Sequence, residues 1–177
     1  MREQYWRMYN DLYHRLCYYK HFQNFYTWIN RIISSLLTIT SLSSIAAWGV
    51  WGSHPIIWSL IIGGSQLIQA LFPKLPYNDI LISTKFIICS MDKLILSIEH
   101  EWLESEYVRD YTEQEYFDAI SKHENAYSDL VSQYFSGSFL PEHRYLHSKA
   151  MNDCQNYFER KYGTTQEVQN DFKSQTN

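Results

Sequence analysis

From Ile32 to Pro73 the chain contains no Asp, Glu, Lys or Arg, and His54 is the only ionisable side chain in the run. A membrane-spanning helix needs ~20 mostly apolar residues at a rise of ~1.5 Å each. The run is too long for one span and suits two, Ile32–Trp51 and Ile56–Phe72, separated by Gly52-Ser53-His54-Pro55. Proline is tolerated in the first turn of a helix because the N–H it lacks would have no partner there, so Pro55 is placed to start the second span. An N-terminal signal peptide would carry its apolar region close to residue 1, whereas 31 polar and aromatic residues come first; the spans are therefore expected to remain as anchors.

The net charge of −4 comes from an uneven distribution. Residues 1–31 hold five Lys/Arg and two acids, and residues 73–177 hold ten and seventeen. Membrane orientation follows Lys and Arg near the spans. Lys20 and Arg31 precede the first span, Lys74 and Lys85 follow the second, and the connection has none. Both termini are expected on the cytoplasmic side of the membrane. Cys17, Cys89 and Cys154 are odd in number and widely spaced, with no CxxC pair, and suit a reducing compartment.

The expected fold is an all-α membrane protein: a cytoplasmic amphipathic helix over 1–31, a transmembrane hairpin over 32–72, a helical cytoplasmic domain over 73–163 and a disordered tail over 164–177. In the first segment Tyr5, Tyr9, Leu12, Tyr13 and Leu16 recur at helical spacing, which suits either the headgroup layer or packing on the later helices. Pro73 and Pro76 break the chain, and Asn78 or Asp79 can cap the next helix. There Leu81, Ile88, Ile95 and Trp102 recur every seven residues, interleaved with Thr84, Met91 and Ile98. Such a pattern makes either an oligomer seam, through Leu81, Ile88, Met91, Ile95, Ile98 and Trp102, or an ordinary core helix. Thr112 and Glu115 match a capping box. Pro141 is expected to open a last helix that Gly163 ends.

Each expected span has one polar or small face. Ser34, Thr38, Ser41 and Ser44 share a face of the first at ~100° per residue, and Ser59, Gly63, Gln66 and Gln69 share one of the second. Such faces either pack helix on helix or line a pore formed by several hairpins. Eight acids lie between Glu99 and Asp118, with Arg109 the single base among them. They form a solvated face or, if several chains ring a common axis, a vestibule that concentrates cations. His143 and His147 stand one turn apart, too few for a metal site, and His123-Glu124 lacks the second histidine of HExxH. No catalytic set and no cofactor motif is found. For a phosphate-bearing ligand the candidates are Arg144, Lys149, Arg160 and Lys161, with Tyr145 and Tyr157 to stack on bases.

The aromatic and basic N-terminal helix (Tyr5–Phe22), the two-span hairpin with its very short connection, the exit through Pro73 and Pro76, and the long helices that follow together resemble the SLATT-type two-span effectors of bacterial anti-phage defence. The resemblance covers residues 1–162 and rests on architecture. It implies a homo-oligomer that opens an ion-conducting pore in the cell membrane and aborts infection. It further implies control by a nucleotide or oligonucleotide made by a partner nucleotidyltransferase, as in cyclic-oligonucleotide or Hailong-type systems. A pore needs at least three or four chains. The rival expectation is a membrane-anchored helical module that recruits a soluble partner.

Overall fold

The computed structural model describes residues 1–50, 55–71, 77–135 and 140–163, all-helical in their regular structure. The helices are α1 (Arg2–Val50), α2 (Pro55–Leu71), α3 (Tyr77–Tyr107), α4 (Glu113–Tyr134) and α5 (Arg144–Tyr162). The chain forms two compact units, one from 1–22 with 84–177 and the other from 23–83. The boundary falls inside α1 and inside α3, so the expected limits at residues 31 and 73 do not coincide with the limits of packing.

In the first unit four helical segments share one core. The start of α1 contributes Tyr5, Met8, Tyr9, Leu12, Leu16 and Tyr19, and α3 contributes Ile87, Met91, Ile95, Ile98 and Trp102. Tyr116 and Ala119 enter from α4, and Cys154 and Phe158 from α5. The spacings of three and four put each set on one face of its helix. The N-terminal aromatics therefore pack on the later helices, one of the two expected placements. Trp6 lies 4.9 Å from Trp102, 5.2 Å from Phe158 and 5.1 Å from Tyr162, measured between ring centroids.

This core corrects the oligomer seam. Met91, Ile95, Ile98 and Trp102 are buried by the chain's own helices, and Ile88 packs half-buried against them. Leu81, also half-buried, belongs to the other unit. A heptad pattern reports a buried stripe but not whose helix buries it, and here the aromatics of α1 and α5 do so.

The start of α4 is as expected. The Thr112 side chain accepts from the Glu115 N–H at 3.3 Å, and the Glu115 carboxylate accepts from the Thr112 N–H at 2.8 Å. Thr112→Ala is expected to cost about 1 kcal/mol, read from the midpoint of a urea titration. Helix α5 starts later than expected, at Arg144. The Tyr18 hydroxyl donates to the Pro141 carbonyl at 2.6 Å and accepts from the His143 N–H at 3.2 Å, holding these residues to α1. Gly163 ends α5 at a φ of 78°, with its N–H on the Glu159 carbonyl. Helix α3 begins at Tyr77, so Asn78 and Asp79 fall in its first turn.

In the second unit α1 ends at Val50 and α2 begins at Pro55, as the break in the charge-free run predicts. Its described side chains are those of 23–38, 56, 60, 63–68, 70 and 80–83. Among the described residues no helix is long and apolar enough to cross a membrane. His54, Pro73, the Ser136-Gly137-Ser138 stretch and the tail over 164–177 lie outside the described residues.

Candidate functional site

In the second unit the polar faces stand open where they are described. Ser34, Thr38, Gly63 and Gln66 are exposed in the single chain, and a Cβ added to Gly63 would meet nothing within 4 Å. Thr38 donates its hydroxyl to the Ser34 carbonyl at 2.9 Å, so that polar group is satisfied within the helix. The side chains of Ser41, Ser44, Ser59 and Gln69 lie outside the described residues. Large apolar side chains share this exposure: Trp28, Leu36, Ile56, Leu60, Leu67 and Ile68. On α2 the described polar and apolar positions are uncovered together.

In the first unit the carboxylates of the acidic run meet bases from other segments. Glu106 pairs with Arg2 at 2.5 Å, Glu101 with Lys122, and Glu99 with Lys161. Arg109 bridges Glu104 at 3.4 Å and Glu115 at 3.0 Å. Bases thus meet part of the run; Asp110, Glu113 and Asp118 are exposed, and Asp118 accepts from Gln114. Glu99 also accepts from Tyr157 at 3.2 Å and from Tyr9 at 3.4 Å, which ties α1, α3 and α5 together.

The five ligand candidates do not converge. Arg144, Tyr145 and Lys149 are exposed near the start of α5, and Arg160 lies near its end, 16 residues from Arg144 and so ~24 Å along the helix. Lys161 is held by Glu99 and lies over the Tyr157 ring. Tyr157 stacks on Tyr13, with centroids 4.2 Å apart, instead of standing free for a base.

Two histidines that the sequence did not mark as buried sit in this unit. His123 is 1% exposed, its Nε2 is 2.7 Å from a Glu101 oxygen, and Tyr5 stands edge-on to its ring. Burial lowers its pKa, with Glu101 opposing. Burial also works to raise the Glu101 carboxyl, but Lys122 and His123 together bring it below the usual range. His14 faces His147, with centroids 4.6 Å apart, and its buried Nε2 has no hydrogen-bond partner. Its pKa is lowered by burial first and by His147 second. Helical spacing would have placed His123 on the α4 face of Tyr116 and Ala119, which is the signal that could have found it.

Of the thiols, Cys17 and Cys154 are buried and Cys89 is exposed. Burial pushes the Cys17 thiol up to about 11 and raises Cys154 further, so neither is a ready nucleophile. Among the described residues no three His, Cys, Asp or Glu side chains gather as a metal site. No family model, curated protein or solved structure matches the chain.

Proposed function

We propose that the chain is a membrane effector that assembles into a homo-oligomeric, ion-conducting pore gated by a nucleotide or oligonucleotide signal, and that opening the pore disrupts the cell membrane during phage infection. In this reading α2 and the second half of α1 insert in the bacterial inner membrane, both termini are cytoplasmic, and the chain catalyses no reaction. The observation that carries it is the charge-free run from Ile32 to Pro73, together with the uncovered apolar side chains Leu36, Ile56, Leu60, Leu67 and Ile68 within it. In water such residues would have to be covered; hydrocarbon or further copies of the hairpin supply that cover. The hydroxyl face of Ser34 and Thr38 and the Gly63/Gln66 face supply polar surface that lipid does not favour and a water-filled pore does.

The test is conductance of the purified full chain in a planar bilayer, with and without cyclic oligonucleotides and mononucleotides. Discrete current steps are expected, with an open probability that changes when the active nucleotide is added. Replacing Ser34, Thr38, Ser41, Gly63 and Gln66 by Leu is expected to abolish the current and to relieve growth arrest on expression. A bilayer silent under every nucleotide, or growth arrest that survives the five substitutions, would sink the pore and favour a membrane tether for a soluble partner.

A further inference from the structure

Between Gln23 and Thr38 the exposed side chains of α1 sort into two sectors when laid out at ~100° per residue. Phe25, Trp28, Ile32 and Leu36 fill one sector of ~80° and are all apolar, with Trp28 61% exposed. Asn24, Arg31, Ser34, Ser35 and Thr38 fill the adjoining ~100° and are all polar. Tyr26, Ile29, Ile33 and Leu37 lie half-buried on the far side of the helix. A helix in a bilayer turns apolar side chains to lipid and keeps polar ones for protein or water. The first sector therefore suits hydrocarbon and the second a water-filled lumen. Trp28 stands one turn before the charge-free run, at the headgroup depth that tryptophan prefers.

Arg31 occupies the middle of the polar sector. Asn24 and Thr38, seven residues before and after it, lie within ~20° of its direction. From His21 to Pro73 it is the only Asp, Glu, Lys or Arg, and among the described residues no acid pairs with it. We propose that Arg31 sets the charge selectivity of the pore: one arginine from each chain forms a cationic ring at the cytoplasmic mouth, and the pore admits small anions in preference to cations. The inference rests on the pore reading above. Rings of arginine or lysine favour anions because their field attracts anions and repels cations at the entrance. The hydroxyls of Ser34 and Thr38 are neutral and do not discriminate the sign of an ion, which leaves that choice to Arg31. An arginine that only anchored α1 to headgroup phosphates would belong beside Trp28 and Ile32, in the sector facing lipid. Like charges in the ring tolerate one another because they stand in water at the edge of the hydrocarbon, where a high dielectric and counter-anions screen them. The anions that screen the ring are the ions it selects.

The test is the reversal potential of the full chain in a planar bilayer under a gradient of potassium chloride, with the same cyclic oligonucleotides and mononucleotides. It reads the permeability of chloride relative to potassium. A preference for chloride of at least about threefold is expected, retained in Arg31→Lys, lost in Arg31→Gln and inverted in Arg31→Glu. The preference should shrink in molar salt, where the field of the ring is screened within a few ångströms. Should Arg31→Glu carry no current, Arg31→Gln gives the reading. A native pore that favours potassium, or a chloride preference that Arg31→Gln leaves unchanged, would overturn the ring and leave the pore standing. A bilayer silent under every nucleotide would sink the pore and the ring with it.

Discussion

Tyr9→Ala is expected to destabilise the four-segment unit by about 3–5 kcal/mol, a large share of the ~5–15 kcal/mol that holds a typical domain. Tyr9 is fully buried, with Trp6 edge-on at 5.8 Å and Phe158 at 5.1 Å. Its hydroxyl reaches Glu99, which α5 also holds through Tyr157 and Lys161. Truncation removes the ring from the centre of the core and leaves a cavity lined by rigid aromatics that cannot collapse into it. Tyr9→Phe keeps the ring and loses only the hydroxyl, with its long hydrogen bond to Glu99, so about 1 kcal/mol is expected. Urea titration of the full chain in detergent, followed by near-ultraviolet circular dichroism, separates the two. A Tyr9→Ala cost no larger than that of Tyr9→Phe would mean that this ring is not central to the core.

The second large effect is a loss of stability in acid. His14 and His123 are both buried with pKa values lowered from the ordinary 6.5. Below about pH 6.5 the unfolded chain takes up protons that the folded chain refuses, so stability is present above that pH and falls as the pH drops toward the folded values. Each histidine contributes a slope of at most about 1.4 kcal/mol per pH unit in that window. The groups facing His14 are His147, Asp11 and Arg15, and those facing His123 are Glu101 and Lys122. Glu101, held low by Lys122 and His123, adds a further loss below about pH 4.5, where the unfolded carboxyl becomes protonated. Melting temperatures at pH 7.5, 6.5, 5.5 and 4.5 should fall progressively below 6.5. His14→Gln with His123→Gln should flatten the upper part of that fall, and an unchanged slope in the double variant would assign it elsewhere.

Much of the local structure was legible in the residues. The capping box at Thr112 and Glu115 is a reciprocal pair three residues apart, complete within one turn, so spacing alone specifies it. The break before Pro55 and the stop at Gly163 are equally local, set by what proline and glycine backbones can do. The start of α5 was not legible because it depends on Tyr18, more than 120 residues away in sequence. What holds two of the ligand candidates was hidden for a similar reason. Lys161 and Tyr157 looked available on α5, but Glu99 of α3 and Tyr13 of α1 hold them.

Periodicity determined by itself that α3 has an apolar seam, and composition determined that 32–73 carries no charge outside its one histidine. Both are properties of single segments, readable wherever the partners lie. Only the tertiary structure decided which of the two stripes on α3 is used internally. Tyr5, Tyr9 and Phe158 cover the row of Met91, Ile98 and Trp102, and this leaves the row of Cys89, Leu96 and Leu103 open. A helix presents its faces to whatever packs there, and the choice of neighbour belongs to the whole chain.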